Sequence, residues 1–167
     1  QKAAKVEGRS PRNILTSTFS DEMAVHFGGH SRIFAVSVKD RGAVSLAGHA
    51  GKAFWFSKAT GEFVTSNYYY EEYPDWVNDW NALDPTARYA DKTWTLMYPQ
   101  DKYLFGDADN RDYETDFPGF GRTFPHPFGS TEDKYYYTLL TTSPVLDKLT
   151  LSFAKELITN EAIGKDD

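Results

Sequence analysis

Residues Ile33-Phe34-Ala35-Val36 form an unbroken apolar run that begins shortly after Gly28-Gly29 and leads into Ser37-Val38-Lys39-Asp40-Arg41-Gly42. Successive strand residues face opposite sides, so this run predicts a strand over 32–38 buried on both faces, in a sheet covered by helices. Upstream, Ser10-Pro11 reads as a helix cap followed by proline at the first helical position. Leu15, Phe19 and Met23 then recur at intervals of four, one apolar face of a helix, and Gly28-Gly29 stops it. Helix, glycine turn, buried strand and cationic loop make an α/β unit, whose ligands favour the carboxyl ends of the strands. Lys39 and Arg41 stand at that end. In an extended segment they point to the same side, and Asp40 faces away into a structural ion pair. Lysine supplies a point charge and arginine a two-pronged fork, so the pair suits an anionic group.

Beyond Lys52 the pattern changes. Ala53-Phe54-Trp55-Phe56 and Glu62-Phe63-Val64-Thr65-Ser66 flank Lys58-Ala59-Thr60-Gly61, which predicts a β-hairpin with glycine at its turn. Pro74 opens a short helix carrying Trp76, Val77 and Trp80, and Asp84-Pro85 ends it. A short strand is expected around 93–97. Prolines at 99, 118, 125 and 127 and glycines at 106, 119, 121 and 129 mark 98–132 as irregular. A loop of that length is usually functional, or an insertion packed on a larger body. Ser143-Pro144 repeats the cap-and-proline signal, and Leu146, Leu149, Phe153 and Leu157 form the buried stripe of a helix to about residue 162. The expected organisation is a single domain over 1–167, or part of a larger catalytic domain. Its core-like stretches are 9–52 and 133–164, with hairpin and insertion at 53–132.

A chain of 167 residues, 40% hydrophobic and 16% aromatic, buries a real core. A net charge of −6 argues against a general nucleic-acid binder, which needs a basic face. Without cysteine there is no disulfide, thiol nucleophile or cysteine-zinc site. No apolar run is long enough to span a membrane as a helix, and Gln1-Lys2-Ala3-Ala4-Lys5 lacks the apolar core of a signal peptide.

Val36 to Ala43, in register with Gly48-His49-Ala50-Gly51 and the aromatic residues through Trp55, resembles the alkaline phosphatase superfamily. The resemblance is to its zinc-dependent branch related to type I phosphodiesterase/nucleotide pyrophosphatase. It is strongest over 11–81. Weaker support comes from Thr65 to Tyr70, Pro74 to Val77, Phe124-Pro125-His126 and the helix after Ser143-Pro144. It implies the central part of an alkaline phosphatase-like α/β sandwich and a phosphate-ester hydrolase with two zinc ions and a threonine or serine nucleophile. In that scheme Lys39 and Arg41 contact the non-bridging oxygens of a phosphate monoester, and Asp40 and His49 are candidate supporting residues. A monoester dianion has one more unesterified oxygen than a diester, so extra cations favour it. The family's nucleophile lies upstream of this region and its Asp-x-x-x-His ligands downstream, and no Asp-x-x-x-His pair occurs here. The resemblance therefore implies an internal stretch of a longer enzyme, inactive alone and without metal ligands, whose parent is periplasmic or secreted.

Other constellations compete less well. His26 and His30 have metal-ligand spacing, but Gly28-Gly29 interrupts the helix between them. His49, between glycines, is either a loop residue near the phosphate site or, in preference, a packing residue. Asp107, Asp109, Asp112, Glu114 and Asp116 fail the calcium-loop template and read as a solvated acidic loop. Thr16, Ser17, Thr18 and Ser20 lack a nearby base. The alternative to an enzyme is a non-catalytic module whose Tyr68-Tyr69-Tyr70, Tyr73, Trp76 and Trp80 form an aromatic platform for glycans or a protein partner. Apolar sheet edges would also favour self-association.

Overall fold

The computed structural model describes residues 8–165; Gln1 to Lys5, considered above as a leader, and Asp166-Asp167 lie outside them. The architecture is α/β. Thr86–Val145 forms one compact unit, and the chain up to Pro85 together with the chain from Leu146 forms another.

In the larger unit, β1 (Phe34–Ser37), α2 (Asp40–Ala47) and β2 (Lys52–Ser57) make a parallel βαβ crossover. The strands pair in register from Phe34 opposite Lys52 to Ser37 opposite Trp55. β3 (Glu62–Val64) then pairs antiparallel with β2 through the predicted hairpin, whose Gly61 has φ 75°. The sheet order is β1-β2-β3, so β2 has a neighbour on each side. Ala53 and Trp55 of β2 join Ala35 and the α2 residues Ala43, Val44 and Ala47 in one core cluster. Phe54, on the opposite face, meets Phe153 at 5.5 Å. The strand buried on both faces is therefore β2. In β1, only Ala35 is buried. The run 33–36 is as apolar as β2, but among the described residues β1 sits at an edge of the sheet. The segment expected as a cationic loop is largely α2; Ala43, Val44 and Ala47 fall on one helical face and bury it. Gly51 makes the tight return to β2, since a Cβ there would lie 2.5 Å from the Ala47 carbonyl oxygen.

The other face of the sheet is aromatic. α3 (Asp75–Ala82) follows Pro74, and α5 (Val145–Asn160) follows Ser143-Pro144, where the Ser143 hydroxyl accepts the Val145 N–H at 3.3 Å. α5 buries Leu146, Leu149, Phe153 and Leu157, the stripe its periodicity predicts. The Phe153 ring stacks on Phe63 at 4.3 Å and packs against Phe54, Trp76 and Trp80. Asn81 of α3 closes part of the β3 edge, accepting the Phe63 N–H and donating to the Phe63 carbonyl.

The first helix departs from expectation. Ser10-Pro11 opens only a single 3₁₀ turn, Pro11–Asn13. The α-helix α1 (Phe19–His26) starts anew at Thr18, through a capping box with Asp21. Leu15 and Phe19 are 97% and 81% exposed, so the anticipated buried face is not buried among the described residues. Asp21 instead does the anchoring. One carboxylate oxygen accepts the His49 and Ala50 N–H groups at 2.7 and 3.0 Å. The other accepts the Thr18 N–H and hydroxyl and lies 2.9 Å from His49 Nδ1. Gly48 (φ 63°) makes room: a Cβ there would sit 2.2 Å from the Thr18 hydroxyl. Burial alone would raise the Asp21 carboxyl, but the hydrogen bonds from His49, Thr18 and Ala50 overturn that and hold it far below its ordinary value.

In the smaller unit, β4 (Thr93–Trp94) pairs antiparallel with β5 (His126–Pro127), so the strand expected over 93–97 is two residues long. Trp94, Phe120, Phe124 and His126 pack ring against ring. α4 (Tyr136–Thr141) adds buried Tyr136, Leu139 and Leu140, and the Tyr136 hydroxyl donates to the Thr86 carbonyl at 2.6 Å.

Phe153→Ala should lower stability by about 3–5 kcal/mol, because four aromatic neighbours lose their shared contact; urea titration reads this as a fall in the midpoint. His49 gives a second test. Its hydrogen bond with Asp21 raises the imidazole above its ordinary 6.5. That stabilisation is present below pH 6.5 and is lost as pH climbs through the raised value. Asp21, held below its ordinary 3.8, stabilises above that pH and fades on acidification toward its folded value. Thermal melts across pH 3–9 should show His49→Gln flattening the alkaline limb; parallel curves for wild type and variant above pH 6.5 would exclude the linkage.

Candidate functional site

The junction between β1 and α2 carries the cations. The Ser37 hydroxyl accepts the Lys39 N–H at 3.3 Å, turning the chain out of the sheet. Gly42 allows the close fold-back, since a Cβ there would lie 2.7 Å from the Ser37 hydroxyl. Lys39 is the N-cap residue of α2 and Arg41 lies in its first turn. The extended geometry expected for 39–41 is thus replaced by a strand-to-helix turn, where the two-residue alternation no longer applies. Both side chains are exposed, and among the described residues no hydrogen bond or ion pair engages the Lys39 ammonium or the Arg41 guanidinium.

Asp40 between them is tied down. One of its oxygens accepts from Arg9 Nε at 2.6 Å and the other accepts the Arg41 backbone N–H at 2.8 Å. Partial burial would raise this carboxyl, but the Arg9 and Arg41 interactions lower it below its ordinary value. Its position in the first turn of α2 also complements the helix dipole.

His49 follows the opposite end of α2 from Lys39 and Arg41. α2 has eight residues, or roughly 12 Å of helix, and His49 lies just past its far end. Its Nδ1 is committed to Asp21 and its Nε2 lies 3.1 Å from the Ile14 carbonyl oxygen. With an acceptor at each nitrogen, the protonated ring is favoured, and the hydrogen bond to Asp21 raises the imidazole above its ordinary value. An open groove of about 600 Å³ runs beside it, lined by residues including Ile14, Leu15, Val25, Gly28 and Ala50. Asp21 is what the sequence reading missed. The signal was Thr18-x-x-Asp21, a capping-box spacing hidden by assigning Thr18 to the helix interior.

The remaining candidates resolve into structural roles. α1 ends at His26, so no helical face carries both His26 and His30. In the acidic loop, Asp109 accepts the Phe124 N–H, Glu114 accepts the Arg111 N–H, and Asp112 lies 3.6 Å from Arg122. Among the described residues no three metal-ligating side chains converge. The aromatic platform is instead core. Tyr69 and Trp80 are buried, Tyr70 and Trp76 pack on Phe54, and the Tyr73 hydroxyl donates to the Thr65 carbonyl. Of that group only Tyr68 is exposed. No helix among the described residues is long and apolar enough to cross a membrane.

No protein-family model matches the chain, but individual proteins do. It is 37% identical over 158 residues to the alkaline phosphatase PhoV of Synechococcus elongatus, covering 93% of this chain and 28% of that protein. It is 34% identical over 161 residues to the alkaline phosphatase PafA of Elizabethkingia meningoseptica, covering 95% and 29%. A Myroides odoratus protein named calcium-transporting ATPase is 35% identical over 164 residues, with 97% and 30% covered. The crystal structure of wild-type PafA superposes with a TM-score of 0.82 at 33% identity, over 93% of this chain and 30% of that one. A PafA variant with four substitutions superposes at 0.81; two of its changes replace a lysine and an arginine two positions apart with alanine. The chain thus spans less than a third of the length of these relatives. Similarity in sequence and in backbone over nearly all of it establishes that the chain belongs to the alkaline phosphatase superfamily.

Proposed function

We propose that the whole protein carrying this chain is a phosphate-ester hydrolase, a phosphomonoesterase in the first place, of the branch related to type I phosphodiesterase/nucleotide pyrophosphatase. The stretch 39–41 supplies its phosphate clamp. The observation that carries this reading is a pair of exposed cations, without protein partners among the described residues, beyond the carboxyl end of β1. The carboxylate between them is already neutralised by Arg9. The same Lys-x-Arg spacing among the residues replaced in the PafA variant supports the assignment.

Arg41 presents a planar fork to two phosphate oxygens while Lys39 contributes a mobile point charge to a third. Negative charge on those oxygens is met by donors already in place, which stabilises both the bound dianion and its transfer. The nucleophile and the two zinc ions belong, on this reading, to the remaining parts of the enzyme, and the parent acts outside the cytoplasm.

In the full-length enzyme, Lys39→Ala or Arg41→Ala should lower kcat/KM for a chromogenic phosphate monoester on the order of a hundredfold. The loss on a diester with the same leaving group should be much smaller, because the diester lacks the extra anionic oxygen. Equal losses on both esters would remove the monoester assignment. The 167-residue chain alone, supplied with zinc and the same monoester, should show no turnover above buffer.

A further inference from the structure

Resting on that clamp, we propose that Arg9 is a positioning residue for phosphate binding: it masks the Asp40 carboxylate that would otherwise oppose the anion between Lys39 and Arg41. The two cations flank an acid of opposite sign in the sequence. An unmasked carboxylate there would cancel part of their field and compete for them as an internal counterion. Arg9 Nε at 2.6 Å takes one Asp40 oxygen, and the Arg41 backbone N–H at 2.8 Å takes the other. With both oxygens engaged, Lys39 and Arg41 keep their side chains for an external anion.

Arg9 is itself held for this task. Its carbonyl accepts a hydrogen bond from the Ser66 hydroxyl, and Ser66 is buried. The segment before the first 3₁₀ turn is thereby tied to the chain that follows β3, and its guanidinium is delivered to the start of α2. The Arg9 and Asp40 side chains are 46% and 33% exposed. A pair this open to water contributes little to stability, so its loss should leave the fold intact and register in anion binding.

The test uses the full-length enzyme and inorganic phosphate as competitive inhibitor, beside monoester kinetics at low ionic strength. Arg9→Ala should raise the phosphate inhibition constant and the monoester KM by about three- to tenfold, with kcat falling less. Arg9→Lys should recover part of the loss. The double variant Arg9→Ala/Asp40→Asn should recover most of it, since asparagine keeps an acceptor for the Arg41 N–H and removes the charge. The effect should shrink as salt is added. An unchanged inhibition constant in Arg9→Ala, or no recovery in the double variant with an unaltered melting temperature, overturns the masking role. Lys39→Ala in the same series separates the two ideas. If it weakens phosphate binding while Arg9→Ala does not, the clamp stands and the masking falls; if Lys39→Ala has no effect, the clamp itself fails.

Discussion

Because β1 and β2 run parallel and adjacent, the chain leaving Ser37 must travel back along the sheet before Lys52 can begin the next strand. A tight turn cannot make that connection, so a crossover is obligatory, and α2 is the crossover. Everything about the cationic junction follows from this. The chain must break out of the sheet at residues 38–39, and Lys39 becomes a cap residue while Arg41 enters the first turn of a helix. β2, paired on both sides, takes the central position and buries both its faces. One face packs on α2 and the other on the aromatic side chains gathered around Phe153.

Two carboxylates in helix first turns then set the electrostatics. Asp21 and Asp40 are both held as anions against partial or full burial, because each accepts several hydrogen bonds. Their consequences differ. Asp21 ties α1 to the turn Gly48–Ala50, with His49 completing the ion pair, so it fixes the trailing end of α2. Asp40 meets Arg9 at the leading end of the same helix. The helix bearing the cations is pinned at both termini by charge, while its middle is pinned by the small apolar residues Ala43, Val44 and Ala47. Lys39 and Arg41 project from that packed helix toward solvent.

The aromatic residues illustrate how composition misleads about function. Trp76, Trp80, Tyr69 and Tyr70 have the chemistry of a sugar platform, yet Trp76 and Trp80 pack around Phe153 of α5, Tyr70 packs on Phe54, and Tyr69 joins the core cluster that α2 forms with the sheet. Large rings bury much apolar surface and pack edge to face at a cluster such as Phe54, Phe63 and Phe153. A platform requires the same rings to be coplanar and wet. Similar stretches occur in proteins named as alkaline phosphatases and in one named as a calcium-transporting ATPase, and a shared fold does not by itself assign a function. The site therefore has to be argued from its own charges.

Much of this was legible in the residues. The hairpin turn at Lys58–Gly61, the stop at Asp84-Pro85, the cap at Ser143-Pro144 and the α5 stripe are local signals, set by backbone conformation and a side-chain period within one element. The Lys-Asp-Arg core with its following glycines was enough to suggest an anion site. Which strand is buried twice, however, depends on sheet order, and an apolar run carries no information about its neighbours. That 40–47 is a helix, that His49 stands a helix length from the cations, and that Arg9 finds Asp40 across 31 positions are long-range facts. They depend on one crossover closing over the sheet, and no local pattern specifies that closure.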